Sequence, residues 1–306
     1  MRIAAFDFGS NSIKCLIADF QPSGISELAN LRVQNRLASF LDNGRLHSDA
    51  TDHTLKLLLP LMGHCHSLQV QQYLAVGTQA LRVAANRKDF VQAIELATGL
   101  RIHVLSGEEE ASLAWQGVIS GLPVITGELC LFDSGGASTE FIWGNSAGIR
   151  SSHSFPLGAV ALHKEFIHSD PVQQPEIKQL EKAITARMQY PWPGTCQLLG
   201  IGGGVLACAK IAMGKEISDL TLLEGLELSR HELERQIRLY RCSSLEQRRH
   251  IPGMEAGRED IILPGAILFL SILNSLSQSS FRISTRGLRQ GVILRECNST
   301  NNHSLR

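Results

Sequence analysis

The chain has 306 residues, 43% of them hydrophobic, a length and apolar content that suit two medium-sized domains better than one. Its 29 basic and 29 acidic residues balance, which excludes a global nucleic-acid or membrane surface and leaves any polyanion site local. Seven cysteines without a C-x-x-C pair exclude a disulfide framework and fit reduced, mostly buried thiols in a cytoplasmic protein.

In chain order, strands are predicted at 3–8, 13–19 and 72–77, and helices from Ala50 to Leu61 and from Gln79 to Thr98. The "GHCHS" stretch at 63–67 invites a metal, but adjacent residues rarely converge on one ion and no partner cluster exists. A short strand, "RIHVL" (101–105), leads to a helix opening at Ser106 and ending near Ile119. "SGLP" at 120–123 breaks it, and a first domain of 1–121 is placed there.

Strands then follow at 128–133 and 139–143, a strand or turn near 149–156, and a helix around Leu157. Ser169, Asp170 and Pro171 signal the next helix, "PWPG" (191–194) a turn, and "QLLGI" a strand that feeds "GGG" at 202–204. Helices are predicted to dominate 221–276, among them the core helix "IILPGAILFLSIL" (261–273), which is too short to span a bilayer. "FRIST" (281–285) is a last strand, which closes a second domain of 122–286. A final helix at about 287–298 is free to pack back on the first domain, and a disordered tail is expected at 299–306. Strands alternating with helices define an α/β protein.

Two segments repeat each other. "IAAFDFGSNSIKCLI" (3–17) and "LCLFDSGGASTEFIW" (129–143) both read strand, Phe-Asp-x-Gly, small polar residues, strand. The offset of 126 holds across all fifteen positions, so two similar lobes facing each other are expected. Glycine permits φ > 0 and brings backbone amides close to a ligand. Consecutive amides make an anion cradle, with Ser10, Asn11 and Ser12 or Ser138 and Thr139 as added donors. An aspartate beside such a cradle repels bare phosphate but suits a divalent cation or a nucleophilic water between them. For one copy, a plain hairpin with an Asx-type turn explains the residues as well. The duplication and a third glycine turn, "GIGGG" (200–204), favour phosphate.

These motifs resemble the actin-like phosphotransfer superfamily, and within it the exopolyphosphatases and guanosine-pentaphosphate phosphohydrolases. The two loops, "VGTQALRVAANRKDF" (76–90), "VLSGEEEASLAWQGV" (104–118), "SFPLGAV" (154–160), "IPGMEAGREDIILPGAILF" (251–269) and "GLRQGVIL" (287–294) follow that family's order over essentially the whole chain. The resemblance implies two ribonuclease-H-like lobes with an interdomain cleft, and hydrolysis of a terminal phosphoryl group with Mg2+ or Mn2+. It implies polyphosphate or guanosine pentaphosphate (pppGpp) as substrate, no nucleic acid or membrane partner, and a homodimer as a family habit.

By motif match, Glu109 positions or deprotonates the attacking water and Asp133 orients it or binds metal, with Asp7, Glu109 and Asp133 as metal ligands. Arg82 and Lys14 neutralise phosphate charge. Ser10, Asn11, Ser12, Gly135, Gly136, Ser138, Thr139, Gly203 and Gly204 supply the cradle. Glu109 has a second reading: Ser106-Gly107-Glu108-Glu109 is also a helix capping box, and the family match, which outweighs it, leaves Glu108 or Glu110 as the solvated charges. A catalytic glutamate beside a polyanion should have a raised pKa. Arg238, Arg241 and Arg249 are candidates for a polyphosphate track.

Three positions depart from the family pattern. Ala137 replaces a glycine and requires that position not to be left-handed, Ala161 stands where an arginine is common, and the third loop lacks hydroxyl donors. These changes predict retained chemistry with a weaker grip, and leave a non-catalytic phosphate or alarmone sensor as an alternative.

Overall fold

The computed structural model describes residues 1–21, 24–122, 127–190, 192 and 194–303. The chain is α/β and divides into two units, Met1–Leu122 with Arg286–Arg306, and Pro123–Thr285. Residues 123–126, at the expected boundary, and 191 and 193 of the expected "PWPG" turn lie outside the described residues.

The first unit contains β1 (Arg2–Phe8), β2 (Ser12–Gln21), β3 (Gly24–Gln34), β4 (Leu41–Asp42), β5 (Arg45–Leu46), α1 (Asp49–Ser67), β6 (Gln72–Gly77), α2 (Gln79–Val83), α3 (Arg87–Thr98), β7 (Ile102–Val104) and α4 (Gly107–Ile119). Its main sheet has the order β3-β2-β1-β6-β7. β1, β2 and β3 are joined antiparallel, and β6 and β7 add in parallel. Alternation along β1 divides the core: Phe6 and Phe8 pack with Leu58, Phe90 and Ile94 of the α1/α3 layer, while Ile3 and Ala5 pack with Leu113 of α4.

Two expectations change here. β3 escapes sequence reading because "GISELANLRVQ" is a half-exposed edge strand with no clean alternation. The helix expected over 79–98 is two helices, α2 and α3, because Ala84 is extended and Asn86 bonds the backbone of Leu46 in both directions, at 2.8 and 2.9 Å. An Asn that finds a long-range backbone partner competes with helical continuation.

The second unit contains β8 (Leu129–Ser134), β9 (Thr139–Asn145), β10 (Gly148–Phe155), α5 (Ala159–Phe166), α6 (Gln174–Arg187), β11 (Gln197–Ile201), α7 (Gly203–Met213), β12 (Glu227–Ser229), α8 (Arg230–Arg241), α9 (Leu245–Arg249), α10 (Ile262–Ser275) and β13 (Ser280–Ile283). Its sheet order is β10-β9-β8-β11-β13-β12. Strand by strand, β10-β9-β8-β11-β13 repeats β3-β2-β1-β6-β7, so the sequence repeat is a repeat of ribonuclease-H-like topology. Only β12 is extra, a three-residue strand inside the stretch read as helical. Phe132, Phe269 and Phe281 form the aromatic centre, with Phe132 and Phe281 edge-on at 4.9 Å. α10 is buried on nearly every side, as its unbroken apolar run requires.

The chain ends in α11 (Leu288–His303), which belongs to the first unit. Its Leu288, Val292, Ile293 and Cys297 complete the core under Ile3, Ala5 and Leu16. The helix runs beyond the start of the expected disordered tail, whose residues 304–306 lie outside the described residues. Among the described residues no helix is long and apolar enough to cross a membrane.

Candidate active site

Each unit presents an aspartate one residue before the end of its first strand, and the two tips share one construction. The Gly9 amide donates to Ser12 O at 3.1 Å, and the Gly135 amide to Ser138 O at 2.9 Å. Register repeats too: Asp7 lies opposite Lys14, and Asp133 opposite Glu140. The glycines are there for close approach. Neither Gly9, Gly135 nor Gly136 takes a positive φ, so the left-handed freedom that glycine permits is not used there. A Cβ at Gly9 or Gly135 would lie 3.2 or 3.3 Å from the facing carbonyl oxygen. Ala137 is likewise not left-handed, so its methyl needs no strained backbone.

The loop carbonyls are tied to neighbouring segments. Asn11 O accepts from the amides of Asn35 and Arg36 at 3.0 and 2.8 Å, and Ser10 O from Ala38 at 2.9 Å. In the second unit, Gly136 O accepts from Val160 and Ala161 at the start of α5, at 2.9 and 3.0 Å. Carbonyls that point back leave a peptide ridge whose other face can meet an anion.

The hydroxyls correct a further expectation. Ser138 Oγ donates to Glu140 Oε1 at 2.6 Å and Thr139 Oγ1 to Leu157 O at 2.6 Å, so the second loop offers amides rather than hydroxyl hydrogens. The third turn is built differently again. Gly202 is left-handed, with φ 99°, and a Cβ there would lie 2.6 Å from Ser134 O and 2.8 Å from Asp133 Oδ1. Gly203 lies against the Arg258 guanidinium, and Gly204 packs on the Phe269 ring.

In the first unit, Asp7 is buried; Lys14 Nζ lies 3.4 Å from its Oδ2, while its Oδ1 has no hydrogen-bond partner among the described residues. Such an unmatched carboxylate oxygen is costly unless a ligand meets it.

Beyond β6 and β7, at the carboxyl ends where α/β ligands gather, Arg82 donates to Leu105 O at 3.0 Å, Glu110 Oε2 at 2.8 Å and Gln79 Oε1 at 2.7 Å. Glu109 is committed elsewhere. Its Oε2 accepts from the Ser106 amide at 2.8 Å, the Glu109 amide donates to Ser106 Oγ at 3.1 Å, and His103 Nε2 lies 3.4 Å from Oε1. The Ser106 amide above all holds the Glu109 carboxyl below the ordinary range, helped by His103 against a smaller desolvation effect. The raised value expected of a general base is therefore absent, and the capping-box reading is the one the geometry bears out. Glu110, expected to be solvated, is instead paired with Arg82 and largely shielded.

Other expectations shift as well. Arg249 bonds Glu246 and Glu259, at 2.7 and 3.0 Å, so it is not an open track cation, while Arg238 and Arg241 are exposed. Sequence reading assigns nothing to Glu140 or Arg258, and to Glu110 only a solvated charge. The 126-residue repeat, which carries Lys14 onto position 140, is the signal that could have found the first. Arg258 is nearly buried; it bonds Glu255 at 2.6 Å, and Lys210 meets the same carboxylate at 2.6 Å.

Two repeated ribonuclease-H-like units, each with an aspartate one residue before the end of its first strand and beside a tight peptide turn, define a phosphoryl-handling α/β protein. The model of the Ppx/GppA phosphatase family matches residues 16–300, and the chain belongs to that family. A solved family member from Aquifex aeolicus is 26% identical, covering 98% of this chain and 99% of that one, with a TM-score of 0.84. An exopolyphosphatase from Cytophaga hutchinsonii is 25% identical over 98% of each chain, with a TM-score of 0.87. An exopolyphosphatase-like protein is 25% identical over 96% and 97%, with a TM-score of 0.85. The protein is thus an enzyme of the phosphoanhydride-hydrolysing class.

Proposed function

We propose that the protein releases the terminal phosphate of inorganic polyphosphate by attack of water. The observation that carries this reading is the doubled tip, Gly9 N to Ser12 O and Gly135 N to Ser138 O, each beside a strand-end aspartate. Amide turns of this kind suit phosphoryl oxygens. In this mechanism the water oxygen attacks the terminal phosphorus, the bridging P–O bond breaks, and the water's proton passes through a carboxylate to the leaving phosphate oxygen.

The motif match gives the carboxylate role to Glu109, but its cap bonds support Glu110 instead, oriented by the Arg82 guanidinium. Asp133, held against Gly202, orients the water.

The family resemblance implies Mg2+ or Mn2+. Among the described residues no group of three or more His, Cys, Asp or Glu side chains could hold a metal ion. Magnesium, however, commonly takes one or two carboxylates and completes its shell with waters and substrate phosphates. In the second unit the opposed carboxylates Asp133 and Glu140 fit that demand, and in the first unit the unmatched Asp7 Oδ1 does. When bound, the ion would neutralise charge on the phosphoryl oxygens.

The test is phosphate release from polyphosphate and, separately, from guanosine pentaphosphate, with magnesium present. Release from polyphosphate is expected. Release from the nucleotide alone would replace this reading with an alarmone hydrolase, and binding without turnover of either would replace it with a sensor.

A further inference from the structure

The returning helix α11 carries a charged residue, Arg289, at its second position. On β1, β2 and β3, the face shared with α4 and α11 is apolar at one end, through Ala5 and Leu16. Towards the loop it turns polar: Asp7 lies opposite Lys14, and Asn30 on β3 lies opposite Leu16. Arg289 of α11 enters this polar end and donates from Nη1 to Asn30 Oδ1 at 2.6 Å. The next residue, Gln290, fixes the helix start. Its Oε1 accepts from the Gly287 amide at 2.9 Å, and its Nε2 donates to Glu27 Oε1 at 2.8 Å. Burial acts to lower the Arg289 pKa, and the nearby carboxylates Asp7 and Glu27 oppose it.

Asp7 therefore has Lys14 on Oδ2 and Oδ1 without a partner, while Arg289 is bonded to Asn30 on the same face of the sheet. A buried carboxylate with one oxygen unmatched persists when fixed cations balance its charge and a ligand takes the remaining lone pairs. We infer that Arg289 is a positioning residue for Asp7, its charge on the same face balancing the carboxylate so that Oδ1 is presented to the ligand of the first loop. The inference rests on the phosphohydrolase reading for its consequence in turnover, though not for its effect on binding. Arg289 touches no substrate in this account. Its guanidinium is fixed by Asn30, and its effect reaches the reaction through Asp7.

The experiment is a double-mutant cycle with Asp7→Asn and Arg289→Met, read by steady-state hydrolysis of polyphosphate. Arg289→Met is expected to lower kcat about 10-fold or more with KM changed less than about 3-fold. In the Asp7→Asn background it should have no further effect. Arg289→Lys keeps the charge but loses the planar fork; it is expected to fall between, and it decides the matter if the methionine variant does not fold. A parallel calorimetric titration uses the non-hydrolysable imido analogue of tripolyphosphate. There, the gain in affinity on adding Mg2+ should shrink equally in Asp7→Asn and Arg289→Met. Additive losses, a KM rise of about 10-fold or more, or an unchanged magnesium gain in the methionine variant would overturn the inference. If the wild type binds but does not turn over, the hydrolase reading fails, and the titration alone decides the role of Arg289.

Discussion

Glu109 and Glu110 are neighbours on one helix, and about 100° of helical rotation separates their side chains. One can close the cap on Ser106 or reach Arg82, but not both, and the structure divides the tasks in that way. Sequence spacing reads a capping box reliably because the box is local; it cannot say which adjacent carboxylate meets an arginine 28 positions earlier. The same limit hid the Lys210–Glu255–Arg258 cluster. Burial on its own would raise the Glu255 carboxyl, but Arg258 and Lys210 outweigh it and hold it at about 2, against an ordinary 4.5. A folded-state pKa below the unfolded one stabilises the protein above the unfolded value. That stability is lost as pH falls from about 4.5 towards 2. It amounts to roughly 3 kcal/mol at neutral pH. Glu255→Gln should therefore unfold more easily than wild type in denaturant at pH 7, with the gap closing as the pH approaches 2. A gap that does not change with pH would contradict this assignment.

At the scale of elements, α4 owes its placement to glycines that meet α11 backbone to backbone. A Cβ on Gly117 would lie 1.9 Å from Gly287 O, and one on Gly291 would lie 1.9 Å from Leu113 O. Neither glycine is needed for an unusual φ, so their role is the closeness of the crossing. Gly117→Ala is expected to cost about 2–3 kcal/mol, since backbone atoms cannot move aside as a side chain can. Equilibrium urea unfolding measures it, and a loss below about 0.5 kcal/mol would mean that the helices separate freely. Contacts of this kind leave no periodic trace, which is why sequence reading found both helices but not their grip. It found the elements that alternate cleanly or carry caps, such as β1 with its apolar run and α8 with Ser229 capping the Glu232 amide. It missed β3, a half-exposed edge strand without alternation, and β12, whose pairing partner lies about 50 residues further along the chain.

For the whole molecule, the legible feature was the repeat. A 126-residue offset in sequence returned as two sheets with the same strand order and the same bond across the same turn. The sequence reading left open whether the last helix returns to the first unit, because that depends on packing rather than pattern. Leu288, Val292, Ile293 and Cys297 of that helix are buried in the first unit's core. At about 1.5–3 kcal/mol for each fully buried side chain, their loss rivals the whole stability of a domain. Deleting 286–306 should thus abolish the cooperative thermal transition of the first unit, and a truncated chain that melts like wild type would contradict the division. The role of Glu110 as the carboxylate of polyphosphate hydrolysis is decided by the initial rate of phosphate release from polyphosphate for wild type, Glu110→Gln and Glu109→Gln, at saturating magnesium. A loss of about 10²–10⁴-fold is expected for Glu110→Gln and a rate within about 3-fold of wild type for Glu109→Gln. Wild-type turnover in Glu110→Gln, or no release by the wild-type protein, would contradict it.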